Sequence, residues 1–318
     1  MKFPSQFVFF ISIPLVLLSC SGLAPNPASF DIVQITITEL ESPEKNSIRG
    51  MSVVDSNTIW LSGVNETILR TIDQGKSWQK ITVPDIDSLD FRSIHAFSKN
   101  SAIVVSAGFP ARAYKTNDGG VSWSLVYENK DSTAFMNSIA FKNDREGIII
   151  GDQINGRHLI LRTGNGGVTW QRIDSVDIPR PLKIENGFAA SGTCITVSKS
   201  GRFFIGLGGE QARIFSSING YKWKAKITPL VHGDPSSGIY SINACGTGKI
   251  MAVGGDYTQA DSNHYPIISM NDGKSWIKTK GMVSGYRSII TYSKKGKFWV
   301  TGGTNGLDTV SYTHLTLP

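Results

Sequence analysis

Charge is scarce in this chain. Asp, Glu, Lys and Arg make up 18% of its 318 residues, and the net charge is +7. With no Lys/Arg run and no recognition module beside it, that surplus does not describe a nucleic-acid binder. Cysteine is scarcer, at three residues. Cys194 and Cys245 fall in different units of a repeating pattern and out of register, so they are expected as small buried hydrophobes rather than a disulfide. There is no Cys-x-x-Cys, no haem-attachment motif and no Gly-x-Gly-x-x-Gly opening a helix, so no redox or dinucleotide cofactor is expected. His95, His158, His232, His264 and His314 lack ligand spacing, and no metal site is expected. The apolar run from Phe7 to Leu18 is too short for a comfortable membrane span.

Glycine, at 33 residues, is abundant, and much of it sits in one recurring octet. The copies begin at Thr71, Thr116, Thr163 and Ser269, with a degenerate copy at Ser216. Each reads Ser/Thr-x-Asp/Asn-x-Gly-x-x-Trp. The defining residues are Asp73, Gly75 and Trp78, then Asp118, Gly120 and Trp123, then Asn165, Gly167 and Trp170, then Asn271, Gly273 and Trp276. The spacing of about 45 to 53 residues is the period of a one-sheet repeat unit. The octet describes a tight turn. The Asp or Asn oxygen accepts from following amides, and glycine supplies positive φ. The tryptophan opens the next strand and buries a large apolar area. In the degenerate copy Ile218 takes the acid position, and Asn219-Gly220 suggests hairpin chemistry with positive φ at both residues. The motif resembles the Asp-box of neuraminidase-like and sortilin-like propellers, which holds a turn and marks a fold rather than a chemistry.

Four short β-branched runs precede or follow each octet, as in Arg49–Val54, Thr58–Ser62, Thr67–Thr71 and Trp78–Thr82. New units start at Phe91, Met136, Thr193, Ile239 and Tyr286. The fold class is therefore all-β: a β-propeller of four-stranded blades over residues 30–310. A two-sheet sandwich does not explain the fixed period. The sixth unit lacks its octet, and the end of the chain from Val310, with residues 311–318 as a non-native tail, resembles translated adapter read-through. Seven blades are expected when the propeller is complete, with Phe30–Thr38 as a strand that could close the ring.

Residues 1–20 read as a secretory signal. Its end, Leu17-Leu-Ser-Cys20, resembles the bacterial lipobox, an ordinary signal peptide being the alternative. The resemblance implies lipidation of Cys20, with 21–29 as a tether. Ser21 suits sorting to the outer membrane, facing periplasm or surface. Membrane contact is expected through this anchor only.

Leu89–Arg92, Gly187–Gly192, Gly238–Ile242 and Gly285–Ser288, set between octets, are similar to segments of bacterial secreted proteins of the photosystem II stability/assembly factor-like family. The resemblance covers about residues 30 to 310 and implies a non-catalytic protein-binding or assembly role in the cell envelope. No photosynthetic client follows from it.

Chemistry is expected on the face opposite the octets. The starts of the first strands place Arg49, Arg92, Asn137, Thr193, Tyr240 and Arg287 at one repeat position. The turns after the second strands add Asn65, Asp152, Glu210 and Asp256. Converging arginines suit an anionic ligand or an acidic envelope protein through bidentate bonds. Alternatively each arginine pairs with a neighbouring acid and fills the rim. A sialidase-like hydrolase would use an arginine triad with Tyr240, Glu210 and Asp152 or Asp256, but the Arg-Ile-Pro type motif of that family is absent. A xyloglucanase-like glycosidase needs two carboxylates across a long cleft.

Overall fold

The computed structural model describes residues 8–12 and 36–311, with 87 and 247 excepted. Cys20, the tether and residues 312–318 lie outside that range. Five four-stranded antiparallel sheets and one three-stranded sheet follow one another along the chain, and strands within each sheet keep chain order. The blades span residues 48–81, 90–129, 136–172, 195–227, 237–278 and 289–311. First strands of consecutive blades touch, which puts them on the inside of the ring. The all-β propeller is therefore the fold.

The hydrophobic core is a series of wedges between neighbouring blades. Trp60 and Ile68 of blade 1 pack with Phe91 and Val104 of blade 2, and Trp123 lies against them. The wedge between blades 2 and 3 takes Trp170, that between 3 and 4 takes Trp223, and that between 4 and 5 takes Trp276. These four tryptophans thus seal each blade to the preceding one, while Trp78 of blade 1 packs with Ile48 of its own blade and with Leu40. The octet glycines show why no larger residue serves. Gly167 has φ +77, and a Cβ there would lie 2.1 Å from Ile103 Cδ1 of the previous blade.

The octet hydrogen bonds repeat from blade to blade. The Thr71 hydroxyl donates to Asp73 at 2.7 Å and accepts from the Gly75 amide at 2.9 Å. Asp73 accepts from the Ser77 amide and hydroxyl, and these bonds hold its carboxyl down at about 2. Asp118 behaves alike through Ser122, also at about 2. In the degenerate copy, Asn219 rather than Ile218 takes the acid role. Ser217 donates to its Oδ1 at 3.2 Å, and the Tyr221 and Lys222 amides do so at 2.9 and 3.2 Å. Only Gly220 of the Asn-Gly pair has positive φ, so this is the same turn with one residue deleted, not a hairpin turn.

The third strand of blade 6 does form. Gly306–Ser311 pairs with Phe298–Gly303 through Val310 and Ser311, where the sequence suggested that order would already be lost. Of the strand expected at Phe30–Thr38, residues 30–35 lie outside the described range, and Thr36–Leu40 is a strand. It pairs antiparallel with Val8–Ser12, not with a blade. Cys194 and Cys245 are buried thiols not joined in a disulfide, and burial pushes the Cys194 thiol up to about 12.

Candidate functional site

At the end of the ring away from the octets, the first strand of four blades carries a β-bulge at the same place. The pairing skips Arg49, Arg92, Asn137 and Tyr240. A bulge leaves one residue outside the ladder and re-aims its side chain. These residues therefore leave the blade-to-blade packing and turn toward the mouth of the channel. The small residues that follow, Ser93 and Ser241, tie neighbouring first strands together through Ile139 N and Ile290 N at 3.3 and 3.0 Å.

Arg49 and Arg92 meet on one side of the mouth. Arg92 donates to Asp90 at 2.6 Å and lies over the Phe135 ring at 5.4 Å. Arg49 is half-buried, its Nε is buried without a partner, and no ion pair reaches it among the described residues. Burial, then repulsion from Arg92, lowers its pKa, with Asp90 and Tyr286 pulling weakly the other way. Nearby, Phe188 stacks on Tyr240 at 3.8 Å, and Tyr286 meets Tyr240 edge-on at 4.7 Å. Tyr257 stands exposed beside them. Two guanidiniums next to an aromatic wall suit a carboxylate attached to an apolar or aromatic group.

Arg287 does not join them. It is fully buried and donates from Nε to Asp308 at 2.7 Å, and to Tyr286 O and Ser284 at 3.1 and 3.0 Å. Asn305 accepts another of its hydrogens. It is a structural arginine at the repeat position where Arg49 and Arg92 remain accessible. Asn137 is buried and donates to Asp152 at 2.8 Å, and burial raises the Asp152 pKa. The Tyr240 hydroxyl donates to Ser236 O at 2.6 Å, not to a carboxylate, and burial pushes its pKa up. Asp256 is buried; its desolvation is outweighed by bonds from Thr258 and Ser236, which keep its carboxyl below the usual range. Glu210 is exposed. Tyr240, Asp152 and Asp256, which a sialidase-like mechanism would use together, are thus engaged separately. Asn65 bonds Asn46 at 3.2 Å on the rim.

Sequence reasoning missed the floor of this mouth. The connection between blades 3 and 4 crosses the axis. Gly192 O accepts from Ser93 of blade 2 at 3.3 Å and from Ser138 of blade 3 at 2.5 Å. Ser191 donates to Ser288 O at 2.6 Å, next to blade 6. The signal was the run Gly187-Phe-Ala-Ala-Ser-Gly192, small enough to fit between blades. Its upstream end is pinned by Glu185, wholly buried with Arg213 and with His158 Nε2 at 3.1 Å. Burial opposes the Glu185 charge, but those hydrogen bonds hold its pKa below the carboxylate range. Among the described residues, no group of His, Cys, Asp and Glu is arranged to hold a metal ion.

The radial sheets and their shared turns define a BNR-type β-propeller. Residues 31–130, which contain blades 1 and 2, match the family model described as photosynthesis system II assembly factor YCF48, and the chain resembles that family. A solved structure of YCF48 bound to D1 peptide is 20% identical, with 85% of this chain and 94% of that one covered at a TM-score of 0.44. The GH74 enzyme of Niastella koreensis is 13% identical, covering 82% of this chain and 44% of its own, at a TM-score of 0.57. That likeness concerns the fold. A vacuolar protein sorting/targeting protein 10 of Colletotrichum graminicola is 29% identical over 123 residues, which are 38% of this chain and 8% of the relative. The chain thus matches only a small part of that relative's length.

Proposed function

We propose that this protein is a non-catalytic binding propeller of the bacterial cell envelope, an assembly or stability factor that captures an acidic segment of another protein at the Arg49–Arg92 mouth. The observation that carries the reading is Arg49: a half-buried guanidinium with an orphaned Nε, held against a second arginine. Keeping like charges together in partial burial costs stability, and an incoming carboxylate relieves the cost. Phe188, Tyr240 and Tyr286 give the carboxylate's neighbour an apolar surface. The lipobox-like end at Cys20 supports export and lipid anchoring; an unmodified Cys20 in the membrane fraction, read by mass spectrometry, would remove the anchor.

The binding test uses a fluorescent peptide rich in Asp, Glu and Phe. Anisotropy should report saturable binding to wild type, weakened roughly tenfold or more in Arg49→Glu/Arg92→Glu, because a central interface arginine is worth about 2 kcal/mol. Circular dichroism checks the fold. Equal binding by both proteins rejects the mouth. A glycoside hydrolase has less support, since Tyr240 and Asp256 are tied to Ser236 and Thr258 rather than to each other.

A further inference from the structure

The octet end of the ring differs from the mouth in charge and in texture. In an antiparallel blade the turn between strands one and two and the turn between strands three and four lie at the same end. These turns send out at least one exposed cation from each blade, among them Lys76, Lys99, Arg145, Lys222, Lys274 and Lys294. Their side chains make no ion pair among the described residues. The carboxylates of the same end are mostly spent internally. Asp73 and Asp118 hold their own turns, Glu146 is bridged by Lys142 and Arg162, and Asp272 is bridged by Arg202. Asp55 caps the amides of Asn57 and Thr58. Apart from Asp144, exposed beside Arg145, the carboxylates of this end are thus engaged, and positive charge is left over around it. The mouth end instead mixes both signs, with exposed Asp174, Glu210, Asp234 and Asp261 set among exposed Arg157, Arg180 and Lys183.

Among those cations stands a second set. Each of the five octet turns exposes one aliphatic side chain: Ile72, Val121, Val168, Ile218 and Met270. Val121 is 80% exposed, and none belongs to the wedges. A single exposed aliphatic residue is ordinary. One on each of five octet turns, in the company of lysines that make no ion pair among the described residues, matches the interfacial zone of a bilayer, where short apolar groups enter between headgroups and cations meet lipid phosphates. A nucleic acid would want stacking aromatics, and Tyr221, the aromatic residue of this end nearest an octet, is already covered by Arg162 at 4.2 Å. An acidic protein would want a compact patch rather than charge spread around six blades.

We propose that the octet face is a membrane-docking surface for anionic phospholipid, a contact additional to any N-terminal anchor and independent of the mouth reading. Docked this way, the protein holds the Arg49–Arg92 mouth away from the bilayer.

The test is co-sedimentation of the full chain with vesicles of phosphatidylcholine alone and with about a third phosphatidylglycerol. Binding to neutral vesicles reports the apolar N-terminus and is subtracted. Anionic lipid should raise partitioning roughly tenfold or more, and salt should reverse the gain. Lys76→Glu/Lys99→Glu/Lys222→Glu/Lys274→Glu should lose the gain, and the milder Lys→Gln set should lose part of it while keeping the wild-type circular dichroism. Arg157→Glu/Arg180→Glu, at the mouth end, should keep it. Val121→Ser/Val168→Ser should weaken anionic binding severalfold. No gain with anionic lipid, or a gain that survives the lysine variants, overturns the proposal. A gain indifferent to the two valines, and abolished by duplex DNA or polyglutamate competitor, also overturns it and marks a general polyanion surface.

Discussion

The two ends of the blades repeat the same backbone and treat it differently. At the octet end Thr71, Thr116, Thr163, Ser217 and Ser269 each bond an Asp or Asn two residues on. Even a one-residue deletion before Gly220 keeps the bonding pattern. At the mouth end the bulge position holds arginine, arginine, asparagine and tyrosine, each with its own partner or none. Where every repeat keeps one chemistry, the chemistry builds the ring. Where the backbone repeats and the chemistry varies, the position is available for something other than folding.

The sharpest way to break this comparison is to treat equivalent arginines alike. Arg287→Met should cost about 3 to 5 kcal/mol, because it strands Asp308 and leaves a buried network open. Arg49→Met should stay within about 0.5 kcal/mol, or stabilise, because it removes a repelled charge. Urea unfolding of both variants measures the pair; similar costs would erase the distinction between structural and available arginines.

Next in size is a pH effect on the octet side of the axis. His95 lies between Phe97 and Phe141, with ring centroids 4.8 and 4.7 Å away, and its burial lowers the pKa to about 4. Asp144 opposes the shift only partly. A neutral folded imidazole with an unfolded value of about 6.5 contributes stability that is complete above pH 6.5 and is lost as the pH falls toward 4. The loss should reach about 2 to 3 kcal/mol, and His95→Phe should flatten that part of a stability profile. Smaller again is Thr163→Val, which removes the acceptor for the Gly167 amide and should cost about 1 to 3 kcal/mol by thermal unfolding. Glu210→Ala, on an exposed turn of the mouth end, should move stability by no more than about 0.5 kcal/mol.

The octets made the propeller legible because Asp, Gly and Trp recur at fixed offsets, and each has a local task. The first-strand starts were legible for a related reason: a small residue, Gly50, Ser93, Ser138 or Ser241, follows each bulge position, and an aliphatic residue comes next. What the sequence did not reveal was which arginine would be consumed. Arg287 differs from Arg49 only through Asp308, Asn305 and Ser284, contacts that no local pattern encodes. Nor was Glu185 legible, since its partners His158 and Arg213 come from two other strands. The degenerate turn was misread by one place because Ser216 and Ser217 both offer a hydroxyl, and only the bond to Asn219 decides between them.

The segment that floors the mouth also has a bearing on time. Its bonds join residues 99, 54 and 97 positions apart in the chain. Closing loops of that length is entropically slow, and the partners must already be in place on three blades. Sheets with adjacent strands can assemble early and locally, whereas Gly192 and Ser191 can dock only onto a nearly finished ring. In refolding followed by pulsed hydrogen exchange, amides of the blade interiors should gain protection first and those around residues 187–193 last. The mouth would then come into being as the final act of folding, so a half-assembled ring presents its paired strands to the cell before it presents a site.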